Sequence, residues 1–387
     1  MRDFDHNGRV PTIYHLLTER EPFSMVDGGG IARWVGNIVP RDPRSVVVAI
    51  SADGTWALPP EQLLIEPGLA RYKNRTSRLS RLAWGVTPAW TAKLLLSTLL
   101  KQVHSGDIVW IHNRPEFAAG LVRLSQVRKL GIKVVLHMHN SHLYHAPRRI
   151  LKNMRGITVV FVSRYLRDEA AAREGALATM PVLYNGANEA KYSPAETPNS
   201  SGQPPSILFL GRLVPEKGCL VFTQAMKILS DRGFRCEGRV VGGAGFGLQT
   251  ETDYIRDLKR TAPPNVSFLG YLPEEDLASS YRDASMFCQP SLWQEPSTLT
   301  VIEAMASGLP VIAFRSGGIP ELLEYGGGVV VEESTPACLA DAIQAVASDA
   351  TLLAQLATAA RQSFLDRFTW GHVLASYREI CEHVAHG

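Results

Sequence analysis

Two carboxylates, Glu295 and Glu303, stand on either side of seven residues in the stretch CQPSLWQEPSTLTVIEAMASGLPVIAF, residues 288–314. Apolar runs at 284–288 and 310–314 have the length and composition of buried parallel strands, so a loop and a short helix must lie between them. The helix should open at about Leu299, with Ser297 or Thr298 as its cap, and its first amides can hold an anion. Upstream, Gly211-Arg212-Leu213-Val214-Pro215-Glu216-Lys217-Gly218 follows an apolar run. That order delivers a guanidinium and an ammonium to the mouth of a sheet, where a diphosphate would collect both. Solvated charges flanking helix starts are the plainer reading of either motif. A third group is made of histidines: His112-Asn113-Arg114-Pro115-Glu116 and His137-Met138-His139-Asn140-Ser141-His142, with His145 beyond. An H-x-H at a strand end admits a metal ion, but no carboxylate or cysteine lies at nearby ligand spacing, so no metal is expected.

The elements that carry these motifs alternate. Strands are expected at 10–17, 45–51, 107–112, 133–137 and 158–162, with helices at 89–103 and 117–130. A second series follows at 206–210, 239–242, 266–270, 284–288 and 310–314, with helices to about 230 and at 274–282. Strands alternating with helices imply doubly wound parallel sheets with ligands beyond the carboxyl ends of the strands. With 387 residues the chain exceeds one core. Pro- and Ser-rich SPAETPNSSGQPP marks a linker at 191–205, between a first domain at 1–190 and a second at 206–369. Helices are expected from Pro336 to Phe368, and a last amphipathic one over 370–387.

Composition is that of a globular protein. No run long enough to span a bilayer and no signal-peptide core occurs, which predicts a cytoplasmic location. Five widely spaced cysteines, none in a Cys-x-x-Cys pair, read as reduced thiols packed as small hydrophobes. The net charge of +3 hides an asymmetry: residues 1–190 hold 25 basic and 15 acidic side chains, the remainder 15 and 22. An anionic partner for the first half is the implication. Its densest basic run is 71–81, RYKNRTSRLSR, followed by aromatics. This run is compatible with an anionic membrane surface, a phosphate-bearing acceptor or a solvated loop, and no nucleic-acid partner is expected. Asp27-Gly28-Gly29-Gly30 and Gly243-Ala244-Gly245-Phe246-Gly247 both fail G-x-G-x-x-G, which argues against a dehydrogenase. Asp3-Phe4-Asp5 precedes the first strand and reads as tail.

The Glu-x7-Glu pattern, followed by Ala304-Met305-Ala306-Ser307-Gly308-Leu309-Pro310, resembles the donor-site signature of retaining glycosyltransferases of family four. The resemblance covers most of 206–366 and thins over the first half. It implies the GT-B fold: two Rossmann-like domains facing across a cleft, with the last helix returning to the first domain. It also implies roles. Glu295 would face the donor sugar, Glu303 the ribose, and Arg212 and Lys217 the pyrophosphate. Gly211, Gly243 and the amides of Ser297, Thr298 and Leu299 would line the nucleotide site. Gly29 and Gly30 match a Gly-rich loop near the donor phosphates. His139 matches a histidine that points toward the sugar, and Arg114 and Glu116 would face the acceptor. Ser297-Thr298-Leu299 departs from the family's Phe-Gly-Leu, and Asn185-Gly186-Ala187-Asn188 departs from Asn-Gly-Val-Asp.

The implied activity is transfer of a hexosyl unit from a nucleotide-diphosphate sugar, UDP by family frequency, to a glycan or lipid-linked acceptor in cell-surface polysaccharide or glycoconjugate synthesis. It needs no cofactor and no metal. The alternatives are a nucleotide-sugar epimerase or phosphorylase of the same fold, and a non-catalytic nucleotide-sugar-binding protein.

Overall fold

The computed structural model describes residues 9–17, 23, 29–49, 58–65, 88–144, 146, 148–151, 154–195, 203–245 and 251–386. The basic run 71–81, Asp3 to Asp5, Gly28, His145, Phe246 and Gly247 lie outside the described residues. Two compact units emerge: Met1–Leu183 with Leu374–Gly387, and Tyr184–Val373.

The first unit is a six-stranded parallel sheet: β1 (Ile13–Leu16), β2 (Ser45–Ala49), β3 (Leu63–Ile65), β4 (Ile108–His112), β5 (Lys133–Met138) and β6 (Ile157–Phe161), in the order β3-β2-β1-β4-β5-β6. The second repeats that topology with β7 (Ser206–Leu210), β8 (Glu237–Val241), β9 (Val266–Gly270), β10 (Met286–Gln289), β11 (Val311–Phe314) and β12 (Gly328–Val331), in the order β12-β11-β10-β7-β8-β9. Central strands such as VVF, ILF and VIA are apolar on both faces because helices cover both, as parallel sheets require. In each sheet the winding reverses between two paired strands, β1 with β4 and β7 with β10, the point where doubly wound sheets hold ligands beyond the carboxyl ends.

Three expectations need correction. The edge strands β3 and β12 have no counterpart in the sequence reading. Leu63–Ile65 is too short to show a period, and Gly328–Val331 is a four-residue strand that follows two glycines with positive φ. The first unit ends at Leu183 rather than 190, because Ala187 and Tyr192 pack into the second unit's core. Its C-terminal part begins at Leu374 rather than 370, since Trp370 and Val373 close on Gly186. All five cysteines are free, and every one but Cys338 is buried. Among the described residues no single helix is long and apolar enough to cross a membrane.

Candidate active site

In the second unit, the loop after β7 and the loop after β10 leave adjacent strands at the reversal point and are tied together. The Leu292 N–H donates to the Glu216 carbonyl at 2.9 Å, and Gly218 packs directly beneath Pro290. Gly218 has φ +76°, and a Cβ there would lie 1.8 Å from the Pro290 oxygen, so only glycine lets the loops approach this closely. The result is a short contact: Lys217 Nζ sits 2.6 Å from Glu295 Oε1. Ser291 Oγ donates to the same oxygen at 2.5 Å. Glu295 is buried, and its backbone is held from a third loop. Its N–H donates to Ser316 Oγ at 3.4 Å and its carbonyl accepts from the Gly318 N–H at 2.7 Å. Arg212, five residues before Lys217, is exposed, and Gly211 is tied to β8 through its N–H to the Val241 carbonyl at 3.1 Å.

The helix Leu299–Ala306 starts where expected, with Thr298 as its cap residue, but the capping chemistry differs. Thr298 makes no side-chain cap, and its Oγ1 is buried without a hydrogen-bond partner. The Ser297 hydroxyl is occupied by Asn185 Nδ2 at 3.2 Å. The first-turn amides at 299 and beyond therefore carry no side-chain cap from this residue. Glu303 lies one turn further in, buried, with Oε2 accepting from Tyr281 Oη at 2.9 Å. Between β8 and β9 a cavity of about 310 Å³ opens, lined by Leu213, Gly243, Phe268, Gly270 and Tyr271 among others. That volume falls at the lower end of the range of small-ligand sites.

In the first unit the histidines assemble on one face of the sheet for a reason of register. His15 lies opposite Trp110, and His112 lies opposite His137. Residues two apart share a face, which adds His139 to His137 and Trp110 to His112. The helices Gly30–Ile38 and Trp370–His386 cover that face with Trp34 and Tyr377. Gly29 and Gly30 open the first of these helices, and no side chain caps it. The ligand-capable nitrogens of His112, His137 and His139 lie within 4.8 Å of one another. Sequence reasoning grouped His112 with His137, His139, His142 and His145 as strand-end histidines; it missed His15, which only strand pairing brings in. Burial drives His15 down to about 3 and holds His112, His137 and His139 well below the ordinary value, neighbouring imidazoles adding to it. All four are neutral at physiological pH. A divalent ion among them would bring two uncompensated charges into a box walled by Trp34 and Trp110. Arg114 is half-buried at the start of the helix Pro115–Arg128, with Glu116 exposed in its first turn.

Residues 195–363 match the family model described as "Glycosyl transferases group 1". Along 320 residues the chain is 25% identical to the GDP-mannose-dependent alpha-(1-6)-phosphatidylinositol monomannoside mannosyltransferase of Mycobacterium tuberculosis, covering 76% of this chain and 80% of that one. It is 38% identical over 149 residues to the D-inositol 3-phosphate glycosyltransferase of Corynebacterium kroppenstedtii, 37% of this chain and 33% of that one. The solved structure of Anabaena HepE in complex with UDP and glucose superposes with a TM-score of 0.71 at 19% identity, over 96% of this chain and 99% of that one. By these comparisons the chain is similar in sequence to glycosyltransferases, carries a segment like glycosyl transferases group 1 in its second unit, and shares the GT-B fold of the solved structure.

Proposed function

We propose that the protein is a retaining glycosyltransferase that moves a hexosyl unit from a nucleoside-diphosphate sugar to a glycan or lipid-linked acceptor, in cell-surface polysaccharide or glycoconjugate synthesis, without a metal ion. The observation that carries the reading is the meeting of Lys217 and Glu295 at 2.6 Å in the loops that follow paired strands where the winding reverses, with Glu303 one turn into the helix Leu299–Ala306. A cation, a sugar-facing carboxylate and open helix amides are the three things a glycosyl diphosphate needs held.

In the proposed reaction the bond from the anomeric carbon to the diphosphate oxygen breaks and its electron pair stays on that oxygen. Arg212, Lys217 and the amides of Ser297, Thr298 and Leu299 take up the growing negative charge. The acceptor oxygen attacks from the same face, and its proton passes to the leaving phosphate. Glu295 positions the sugar and Glu303 the ribose. Contact with the sugar is assigned to His139, contact with the donor phosphates to Gly29 and Gly30, and contact with the acceptor to Arg114 and Glu116. Gly243 lines the cavity assigned to the nucleoside, and Gly211 packs against Gly242, which also lines it. The basic run 71–81 is assigned to a lipid-linked acceptor or the inner membrane face, consistent with a cytoplasmic enzyme.

UDP is the expected nucleotide and is what HepE carries; the mycobacterial relative is GDP-mannose-dependent by name. A thermal-shift screen of UDP, GDP and ADP with their hexose conjugates separates them, because a ligand at about 100 times its Kd adds about 2.7 kcal/mol. One nucleotide series should stabilise the protein, and proton NMR of the product should show the donor's anomeric configuration. No shift from any of them, or an inverted product, would reject the reading.

A further inference from the structure

An unbroken hydrogen-bonded chain runs through the first unit from a buried carboxylate to His139. Ser45 Oγ donates to Asp42 Oδ2 at 3.0 Å and lies 2.9 Å from Tyr377 Oη. Tyr377 Oη lies 2.9 Å from His15 Nε2. His15 Nδ1 is 3.4 Å from His112 Nε2, and His112 Nδ1 is 3.1 Å from His139 Nε2. Every member but His139 is buried.

We propose that Ser45, Tyr377, His15 and His112 are positioning residues that fix which ring nitrogen of His139 carries its proton, leaving Nδ1 as a lone-pair acceptor for a substrate hydroxyl. The direction follows from counting protons. Asp42 is ion-paired with Arg44 at 3.2 Å and as a carboxylate can only accept. The one Ser45 proton is therefore spent on Asp42, so Ser45 Oγ must accept from Tyr377. The phenol stays protonated, its pKa held well above the usual value by burial. Its single proton now points at Ser45, so His15 Nε2 must be the donor. A neutral imidazole has one N–H, which leaves His15 Nδ1 to accept from His112 Nε2. By the same step His112 Nδ1 accepts from His139 Nε2, and His139 Nδ1 is bare. Reversing a single link leaves either two donors or two lone pairs facing each other in a buried site, at about 1–3 kcal/mol. His137 is not part of the chain; it packs edge-on against Trp34, ring centroids 4.8 Å apart.

The chain would matter to catalysis only if His139 contacts substrate, so that consequence rests on the function proposed above, whereas the tautomers do not. Long-range proton–nitrogen-15 spectra of histidine-labelled protein read each ring directly. The wild type should show His15, His112 and His139 all protonated at Nε2. Ser45→Ala should reverse the chain: the phenol then turns its proton to His15 Nε2, and the protons of all three rings move to Nδ1. Wild-type spectra with His112 or His139 protonated at Nδ1 overturn the proposal, whether or not the variant folds. So does a Ser45→Ala spectrum with unchanged tautomers, or a zinc titration that metallates His112 and His139 stoichiometrically. Turnover is read separately. Ser45→Ala should lower kcat about tenfold with donor KM unchanged; unaltered turnover with reversed tautomers would withdraw the role of His139 and leave the chain standing.

Discussion

Lys217 Nζ and Glu295 Oε1 lie 2.6 Å apart, the lysine partly exposed and the carboxylate buried. The cation proposed for the diphosphate is thus already neutralised, by the side chain proposed for the sugar. The pair keeps Lys217 folded over the site, and a diphosphate has to compete with a carboxylate for it.

The pairing separates a stability effect from a catalytic one. Lys217→Ala leaves Glu295 buried without its partner, which should cost roughly 3 kcal/mol, and should lower kcat by about 100-fold or more because developing charge loses its counter-ion. The double variant Lys217→Met with Glu295→Leu should regain most of the stability while remaining inactive. Urea titration and steady-state kinetics on the same preparations decide this. A Lys217→Ala enzyme with unchanged kcat and only a raised KM would remove the lysine from the transition state.

Gly317 tests how tightly the Glu295 backbone is held. At φ +54° its Cβ would stand 2.1 Å from the Glu295 carbonyl oxygen, a backbone atom with its own hydrogen bond from Gly318. Gly317→Ala must push that carbonyl aside and also strain its own φ. Expected are a loss of at least about 2 kcal/mol and a fall in activity larger than the stability loss explains. Wild-type turnover in a folded Gly317→Ala protein would show that Glu295 tolerates displacement.

Much of the second unit was legible because its signals are local. The apolar runs at 206–210 and 310–314 have strand length, and the strands place the short loops that carry Gly211, Lys217 and Glu295 and the short helix that carries Glu303. The histidine face was illegible for the opposite reason. His15, His112 and Tyr377 are far apart in the chain, and only the register of β1 against β4 and β4 against β5 sets them together. Thr298 shows a finer limit. A threonine before a helix reads as a cap, yet packing buries its hydroxyl unpaired. Side-chain direction at a helix start is set by neighbours such as Asn185, which occupies Ser297 from more than 100 residues away.

Glu303 offers a binding test with little effect on folding. Its Oε2 already has a donor in Tyr281, so Glu303→Gln preserves size and keeps an acceptor oxygen while removing the charge. If the carboxylate holds ribose hydroxyls, nucleotide affinity should fall by about tenfold, the range of one charge-assisted hydrogen bond. Tyr281→Phe should weaken binding less, since it only loosens the carboxylate. Calorimetric titration with the nucleotide found in the screen reads both. Wild-type affinity in Glu303→Gln would reject the assignment.

The buried histidines make stability fall on mild acidification. His15 is held down at about 3, and His112, His137 and His139 stay well below their ordinary value, chiefly through burial. In the unfolded chain each imidazole takes up a proton near pH 6.5. Above that both states are neutral and the native state keeps its full stability; below it the unfolded state alone binds protons, so stability drops with pH. Between pH 7 and 5.5 this amounts to roughly 1 kcal/mol for each histidine, or about 4 kcal/mol together. Urea unfolding at pH 7.5, 6.5 and 5.5 should show the decline while the carboxylates are still ionised. His137→Phe should reduce the proton uptake on unfolding at pH 5.5 by roughly one. A flat profile between pH 7 and 5.5 would mean that the four rings are hydrated or charged in the native protein, which would also undo the argument for their neutrality at the site.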